Sequence, residues 1–463
     1  MMDWCVAKGD AKYKLDIPPL TKEEEQLISR VSESFKELSK HRDLHESNLR
    51  GLIAEQLVDH CRQHSIILDH EQEQYLSTYL YYNLAGYSGL DTLLADDSIE
   101  EIGMIGIHKP VYVYHASRGW LDTNLHFRSE DAAIAIINKI ARQVGRRVTY
   151  QNPNINAVLP NGARLHASIP PISDVEMTVR KFRSNPITVA DLIDNHTYSL
   201  DSIAFLSLLF QLDYNILVAG NTASGKTSTL NALFSFIPLS DRILIIEETP
   251  EINIPHAHKI KMVSNQELKI DMRTLVEDTL RMRPDRVVVG EIRTREEVSA
   301  FIETILSGQA RGSYATFHAQ SSEEAVKRMV SQGVSLVDVS SINFMVVQRR
   351  MIKYDPKTRR YWEERKGVEI SELSDDSRIN PIFKLNQRTG NMEGSYTKSR
   401  YTQDIADSFG ISSGELAEEM EKRKEMLVGL KKKSFEETVS SIQSSLFSQG
   451  FGKESSTSDT INH

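Results

Sequence analysis

A stretch in the middle of the chain, GNTASGKT at residues 220–227, has the residue types and spacing of a phosphate-binding loop. It fits the pattern G-x-x-x-x-G-K-[ST] and stands between an apolar strand, YNILVAG, and an apolar-faced helix, LNALFSFI. In such a loop, backbone N–H groups and the helix N-terminus surround the phosphates, the lysine reaches the β and γ phosphates, and the last hydroxyl can bind Mg²⁺. We predict ATP and Mg²⁺ as cofactors. The predicted ATP-binding residues are Gly220, Asn221, Thr222, Ala223, Ser224, Gly225, Lys226, Thr227 and Ser228.

Acidic residues follow two further apolar strands, where a P-loop ATPase needs carboxylates for the metal and the attacking water. RILIIEETPEI ends in Glu247, Glu248 and Glu251, and RVVVGEIR carries Glu291 where a common P-loop pattern has aspartate. A single glutamate after a strand is usually a solvated loop residue. Here both groups stand at the carboxyl ends of core strands, where the sites of α/β proteins form, and this favours a role in the nucleotide site.

A third candidate strand, SYATFHA, ends in His318. A lone histidine is more often structural than catalytic. This one follows the turn SGQARG and precedes a helix that Ser321 and Glu324 could cap. That position places His318 at the sheet edge facing the nucleotide and favours a polar sensor role.

The elements that must position these residues alternate between strand and helix from about residue 200 to 350, which is typical of a parallel α/β core. Two kinds of pattern precede this core: first helical patterns, and then short strands and turns. After Arg350, MIKYDPKTRRYWEE and IFKLNQRTGNMEGS predict two hairpins. The predicted divisions are a flexible lead-in (1–20), a helical N-terminal region (21–95), an α+β domain (96–184), a linker (185–200), the P-loop domain (201–350), a hairpin and helical extension (351–445) and a disordered tail (446–463).

The overall composition limits the classes of protein to consider. A chain of 463 residues with 40% hydrophobic and 26% charged residues fits two or three folded domains. Its two cysteines, Cys5 and Cys61, argue against a disulfide framework and a four-cysteine zinc site. No apolar run reaches the roughly 20 residues that span a bilayer, and the first residues do not resemble a signal peptide, so we expect a cytoplasmic location. The net charge of −9 gives no indication of nucleic-acid binding.

Four linked motifs resemble those of the secretion-ATPase superfamily, which powers type II secretion, type IV pili, type IV secretion and the archaellum. LRMRPDRVVVGEIR, residues 280–293, is very close to its signature. The Walker A loop GNTASGKT, an Asp box EETPE, an atypical Walker B VVVGE and a His box ATFHA come in the family's order and spacing. The similarity covers roughly residues 75–430 and is strongest to archaeal type IV pilus or secretion ATPases and the archaellum motor ATPase. It implies a RecA-like P-loop core with a parallel central sheet, preceded by an α+β N-terminal domain and a helical head.

The resemblance also implies roles for matching positions. Glu251 would polarise the attacking water, Glu291 would support the metal and water network, and His318 would sense the γ-phosphate. Arg164, in LPNGAR, would reach the nucleotide from the N-terminal domain. The metal ligands would be Thr227 and Glu291. The arginines with an implied charge-stabilising or intersubunit role are Arg180, Arg281, Arg283 and Arg293.

The function implied by the resemblance is an ATPase motor that acts as a homo-hexamer at the inner face of the cell membrane. It would drive the assembly or secretion of pilin-like subunits through a polytopic membrane platform protein, without direct contact to nucleic acid. The archaellum motor ATPase and the ATPase of a conjugation-type secretion system share the motifs and stay as alternatives. A RecA-like nucleic-acid motor is more remote, and a purely regulatory nucleotide site is disfavoured by the retained Glu251 and Glu291.

Three departures from the family pattern leave the subfamily open. Glu248 stands where aspartate is usual, Thr294 replaces the aspartate that closes the Walker B signature, and SGQ at residues 307–309 replaces the frequent Thr-Gly-His. None of them changes a phosphate ligand. We therefore expect ATP hydrolysis to be intact.

Overall fold

The computed structural model describes residues 4–6, 11–39, 48–181, 186–265, 268–374, 376 and 378–447. The chain divides into two units, Met1–Ser184 and Asn185–His463, here called the N-terminal and C-terminal units. Among the described residues, no helix combines the length and the apolar character needed to cross a bilayer. The predicted disordered tail lies outside the described residues from position 448 onward.

The N-terminal unit packs helices against an antiparallel sheet. Its helices are α1 (Lys22–Ser39), α2 (Leu49–Gln63), α3 (His70–Leu84), α4 (Leu90–Ala95) and α5 (Glu130–Ala141). Its strands are β1 (Trp4–Val6), β2 (Ile99–Met104), β3 (Pro110–His115), β4 (Gly119–Phe127), β5 (Asn154–Val158), β6 (Arg164–Ser168) and β7 (Glu176–Arg180). They are ordered β1-β4-β3-β2-β7-β6-β5.

Within the range 1–20, for which a flexible lead-in was predicted, the described residues 4–6 and 11–20 include packed side chains. Strand β1 pairs with β4, and the buried Trp4 stacks on Tyr79 with ring centroids 4.9 Å apart. The Leu15 N–H donates to Asn124 Oδ1 over 2.8 Å. A strand of three residues is too short to show a periodic pattern, so its large apolar side chain was the only sequence signal.

The N-terminal unit has a continuous core, so the predicted division at residue 95 does not separate two domains. Apolar side chains of the helices and of the sheet belong to the same buried cluster, from Ile28 and Leu57 on helices to Val113 and Val179 on strands. Neither layer buries its apolar face without the other. The helical head and the α+β domain are therefore one folding unit.

The C-terminal unit is an α/β structure around a large mixed sheet. Its helices are α6 (Val189–Asp194), α7 (Leu200–Gln211), α8 (Lys226–Leu233), α9 (Met272–Thr279), α10 (Arg295–Leu306), α11 (Ser322–Ser331), α12 (Leu336–Val339), α13 (Thr402–Phe409), α14 (Ser413–Val428) and α15 (Phe435–Leu446). Its strands are β8 (Ile216–Gly220), β9 (Ile243–Glu247), β10 (Lys259–Val263), β11 (Arg286–Ile292), β12 (Gly312–Phe317), β13 (Phe344–Asp355), β14 (Arg360–Leu373), β15 (Ile379–Leu385) and β16 (Met392–Gly394).

The sheet order is β10-β9-β11-β12-β8-β13-β14-β15-β16, and the pairs from β10 to β13 are parallel. Strands such as ILVAG (β8) and ILIIE (β9) are buried along their whole length, as expected for parallel strands covered by helices on both faces. The predicted parallel α/β core, preceded by an α+β domain and a helical head, is confirmed. In this arrangement the carboxyl ends of β8, β9, β11 and β12 meet at one edge.

Two predicted boundaries of the C-terminal unit are wrong. Strand β13 runs through residue 350 without interruption, and the two predicted hairpins continue the central sheet as β14, β15 and β16. The predicted linker over residues 185–200 contains helix α6, which Thr188 and Asp191 begin with a capping box. No glycine or proline interrupts β13, so the change from a buried to an exposed segment did not mark the end of an element.

Candidate nucleotide site

The phosphate-binding loop joins β8 to α8 and adopts a conformation that depends on its glycines. Gly225 has φ +95°, in the left-handed region that glycine enters without steric cost. A Cβ atom on Gly220 would lie 2.1 Å from the backbone oxygen of Gln348 on β13. The first glycine of the motif therefore permits close contact with a neighbouring strand, and the second permits the turn into the helix.

Gln348, which the sequence analysis did not single out, fixes the loop from β13. Its side chain is buried, with Nε2 donating to the backbone oxygen of Ser224 over 2.7 Å. Its Oε1 accepts from the hydroxyl of Thr229 over 2.6 Å and from that of Tyr198 over 3.2 Å. A single amide in the otherwise apolar run FMVVQ was the available signal. Gln348 ties the loop, α8 and the start of the C-terminal unit to one strand.

Asn221 makes a second connection between the loop and β13. Its Nδ2 donates to the backbone oxygen of Arg350 over 3.0 Å, and its Oδ1 accepts from the Arg350 N–H over 2.8 Å. The Asn221 amide thus makes the same pair of hydrogen bonds with β13 that the backbone of a paired strand residue would make. The structure gives Asn221 a role in holding the loop, and its predicted contact with ATP stays a prediction.

Lys226 lies at the mouth of the loop, where its ammonium group meets oxygen atoms. Nζ donates to the backbone oxygens of Gly220 over 3.2 Å and Asn221 over 3.4 Å. It also lies 3.8 Å from Glu291 Oε1, and its side chain is buried. In a P-loop site, phosphate oxygens would take the place of these protein oxygens around the buried ammonium group.

The structure brings together Thr227 and Glu251, the last acid of the Asp box. The Thr227 hydroxyl donates to Glu251 Oε2 over 3.0 Å. The Asn231 side chain on α8 holds the same segment, since Nδ2 donates to the backbone oxygen of Glu251 over 3.3 Å and Oδ1 accepts from the Asn253 N–H over 3.0 Å. Two predicted site residues, 24 positions apart in the chain, are therefore neighbours.

Glu247, at the end of β9, shapes the segment that carries Glu251. Its buried carboxylate accepts at Oε1 from the N–H groups of Glu251 over 2.7 Å and Ile252 over 2.8 Å. Burial raises the pKa of Glu247, and the two backbone hydrogen bonds oppose that shift. The first acid of EETPE is thus a support of the loop, which the sequence alone does not distinguish from its neighbours.

Glu291, at the end of β11, lies in a cluster of charged side chains. His318 Nε2 is 2.5 Å from Glu291 Oε1, and Arg293 Nε donates to Oε2 over 2.9 Å. Arg293 Nη1 also bonds Glu248 Oε2 over 2.8 Å. Burial alone would raise the pKa of Glu291, but the hydrogen bonds and charges of His318 and Arg293 lower it to about 2. Glu291 is therefore ionised over the whole physiological range.

The predicted metal ligands, Thr227 and Glu291, stay a prediction. Among the residues that the structure describes, no cluster of three or more His, Cys, Asp or Glu side chains suits a metal ion. Mg²⁺ in phosphate sites uses one or two protein oxygens together with phosphates and water. The Thr227 hydroxyl and the Glu251 carboxylate fit that requirement, whereas the oxygens of Glu291 contact His318 and Arg293.

Arg281 and Arg283 are not brought to the phosphate loop. Both are exposed and precede β11, so they stand at its amino end, while Glu291 and Arg293 stand at its carboxyl end. Their predicted intersubunit role stays a prediction. The same amino edge holds the fully buried Arg286, which pairs with Asp241 over 3.1 Å and is a structural feature that sequence reasoning missed.

Arg164 and Arg180 are cross-strand neighbours in the N-terminal unit. They are paired residues on β6 and β7, and Arg180 is in turn paired with Glu101 on β2. Side chains at paired positions lie on the same face of a sheet, and like charges placed opposite one another are destabilising unless an anion compensates them. Their predicted contact with the nucleotide stays a prediction.

Comparisons with known proteins agree with this picture. A family described as "Type II/IV secretion system protein" matches residues 94–426. The uncharacterized protein MJ0781 of Methanocaldococcus jannaschii is 37% identical over 240 residues, which are 49% of this chain and 33% of that protein. The chain spans 52% of the length of a second relative from the same organism. It thus covers between a third and about half of these relatives.

Two further matches carry names that describe a secretion system or an enzyme activity. The type IV secretion system protein VirB11 of Bartonella henselae is 28% identical over 283 residues, covering 52% of this chain and 78% of that protein. The crystal structure of the ATPase DotB of Yersinia pseudotuberculosis matches with 17% identity and a TM-score of 0.46, covering 77% of this chain and 95% of that one.

Proposed function

The chain belongs to the family of type II/IV secretion system proteins, whose members hydrolyse ATP, and from this premise we propose that it is an ATP-driven motor of a secretion or pilus system. The observation that carries the proposal is the meeting of four predicted residues at one sheet edge. Lys226 and Thr227 of the phosphate loop lie within 3.8 Å and 3.0 Å of Glu291 and Glu251 respectively. A cation, a hydroxyl and two carboxylates so placed are what ATP hydrolysis requires.

Phosphoryl transfer needs positioning and charge stabilisation more than covalent chemistry. In the proposed reaction the Lys226 ammonium neutralises the β and γ phosphates. The Glu251 carboxylate orients and polarises the water that attacks the γ-phosphorus. Mg²⁺, when bound, supplies further positive charge to the phosphate oxygens. Thr227 and Glu251 are the residues that would hold it.

Glu291 would link the nucleotide to the rest of the sheet edge. Its Oε1 atom is shared, because it lies 2.5 Å from His318 Nε2 and 3.8 Å from Lys226 Nζ. A γ-phosphate that attracts Lys226 weakens this contact, and release of the phosphate restores it. We infer that His318 would sense the γ-phosphate through this shared carboxylate.

Arg164 is carried forward as the proposed source of further positive charge in the N-terminal unit. A positive group on the γ-phosphate contributes about 10³–10⁵ to the rate in related P-loop systems. The cross-strand pairing of Arg164 with Arg180 supports the proposal, because it places two arginines on one face, with Glu101 as the carboxylate beside Arg180.

The system that the motor serves is the finer part of the proposal. We favour a cytoplasmic homo-hexamer that acts through a polytopic membrane platform protein on pilin-like subunits, as in archaeal type IV pilus or secretion systems. Relatives from Methanocaldococcus jannaschii support the archaeal assignment. The match to VirB11 keeps a conjugation-type secretion system as the second candidate. The archaellum motor is the third.

ATP turnover of the full chain tests the activity, measured as released phosphate. Lys226→Ala abolishes turnover, whereas Lys422→Ala, which changes an exposed lysine on α14, keeps the wild-type rate. Arg164→Ala slows turnover and leaves the folding of the C-terminal unit unchanged. Equal rates for Lys226→Ala and Lys422→Ala would reject the proposed ATPase, and an unchanged rate for Arg164→Ala would reject only the role of that arginine.

A further inference from the structure

The hairpin of β13 and β14 extends past the edge of the sheet on which the nucleotide site is built. The pairing of β13 with β8 ends at Gln348, and the pairing of β14 with β15 ends at Glu369. Beyond these positions the two strands pair with each other as far as Asp355 and Arg360. We call residues 352–362, the distal part of this hairpin, the outer arm.

The outer arm combines exposed apolar side chains with positive charge. Ile352, Tyr354, Tyr361 and Trp362 are exposed by 70%, 60%, 75% and 45%. The net charge of the outer arm is +3, in a chain whose net charge is −9. Its charged residues are Lys353, Asp355, Lys357, Arg359 and Arg360. Large apolar groups on a solvated ribbon are unfavourable unless another surface covers them.

The single acid of the outer arm is used by the turn. Asp355 Oδ1 accepts from the Lys357 N–H over 2.8 Å, and Oδ2 accepts from the Thr358 hydroxyl over 2.7 Å. The basic side chains at positions 357, 359 and 360 are exposed at the tip. The tip therefore presents positive charge outward while its carboxylate is directed into the turn.

The apolar groups occupy both faces of the ribbon. Tyr354 and Tyr361 are directly paired and share one face with Ile352. Trp362 is paired with Lys353 on the other face, and its Nε1 donates to Glu364 over 2.8 Å. A ribbon that binds a nucleic-acid groove presents one face to it. A hairpin tip that inserts into the interface of a lipid bilayer contacts lipid with both faces.

We propose that the outer arm docks on an anionic lipid surface. Tyr and Trp favour the boundary between water and hydrocarbon, where the ring is buried and the polar atom stays hydrated. Lysine and arginine clusters are attracted to anionic headgroups. Aromatic, aliphatic and basic side chains stand together on the outer arm in the combination that both attractions require. The other end of the hairpin is hydrogen-bonded to the phosphate loop, by Gln348 to Ser224 and by Arg350 to Asn221. Docking of the outer arm would therefore hold the nucleotide site at a membrane surface.

Flotation of the full chain with vesicles tests this inference independently of ATP turnover. The vesicles contain phosphatidylcholine alone or phosphatidylcholine mixed with phosphatidylglycerol. We expect the protein to float with the anionic vesicles, to stay behind with the neutral ones, and to be released as salt screens the attraction.

Two variants of the outer arm and a matched control define the surface. Combined replacement of Lys357, Arg359 and Arg360 by glutamine lowers the vesicle-bound fraction by about tenfold. Combined replacement of Tyr354, Tyr361 and Trp362 by serine does the same. The control replaces Lys431, Lys432 and Lys433 by glutamine and keeps wild-type binding. Circular dichroism melting confirms that each variant is folded.

Three results would overturn the inference. The first is equal flotation of the variant that lacks the basic residues of the outer arm and of the control variant that lacks the three lysines at 431–433. The second is stronger binding of the outer arm to duplex DNA than to anionic vesicles. The third is loss of self-association by the outer-arm variants without any flotation of the wild type, which would assign the surface to a second copy of the chain.

Discussion

Two neighbouring strands, β9 and β11, carry a glutamate at their last and second-to-last residue respectively, and the two glutamates have opposite electrostatic environments. Burial raises the pKa of Glu247, whose carboxylate binds backbone N–H groups. Glu291 is also partly buried, but His318 and Arg293 lower its pKa to about 2. The position at a strand end is the same, so the partners decide the role. Glu247 supports a loop, and Glu291 provides a permanent negative charge beside Lys226.

Glu251 tests the comparison most strongly, because it depends on Glu247 for its position. Glu251→Gln should bind ATP but lower kcat by about 10²–10⁴, the range for loss of a general base. Its free energy of unfolding should change little, since the glutamine keeps the contact with Thr227. Phosphate release and binding of a fluorescent nucleotide measure the two effects. Full turnover would remove the catalytic assignment.

Replacing Glu247 should affect stability as well as rate. Glu247→Ala leaves two backbone N–H groups without their acceptor and should lower the free energy of unfolding by about 1–3 kcal/mol. kcat should fall as well, because the segment that carries Glu251 becomes less well fixed. Glu247→Gln should lower both the free energy of unfolding and kcat by less than Glu247→Ala. Urea unfolding measures the first effect. Glu277→Ala, which breaks an exposed pair with Arg273, is the control and should cost little. A loss no larger than in this control would contradict the supporting role.

The pH dependence of stability should have opposite signs at the two strand ends. The raised pKa of Glu247 means that its contribution to stability is full below its unfolded value and falls as pH rises through the folded value. The lowered pKa of Glu291 means that its contribution is full above about 4.5 and is lost as pH falls toward 2. Urea unfolding of the wild type, Glu247→Gln and Glu291→Gln at a series of pH values measures both. Curves that shift in the same direction for the two variants would break the comparison.

The sequence was sufficient for the part of the site that depends on local order. A loop between a buried strand and a helix, and acids or a histidine at strand ends, follow from the chain itself, and the structure brings Lys226, Thr227, Glu251, Glu291 and His318 to the carboxyl edge of the sheet. The division of labour within EETPE could not be predicted, because it depends on which carboxylate is buried. Gln348 was missed because its partners are 119 to 150 residues away. The predicted boundary at residue 350 divided strand β13, because its side chains change there from buried to exposed. The backbone nevertheless continues as one strand.

The chain has three tryptophans, and their distribution gives the C-terminal unit an optical label of its own. Trp4 and Trp120 belong to the N-terminal unit, whereas Trp362 is the only tryptophan between residues 185 and 463. Its indole, 45% exposed, reports on the hairpin whose other end is bonded to the phosphate loop. Emission from Trp362, isolated by replacing the other two tryptophans with phenylalanine, therefore follows the surroundings of this hairpin when ATP is added, without any added dye.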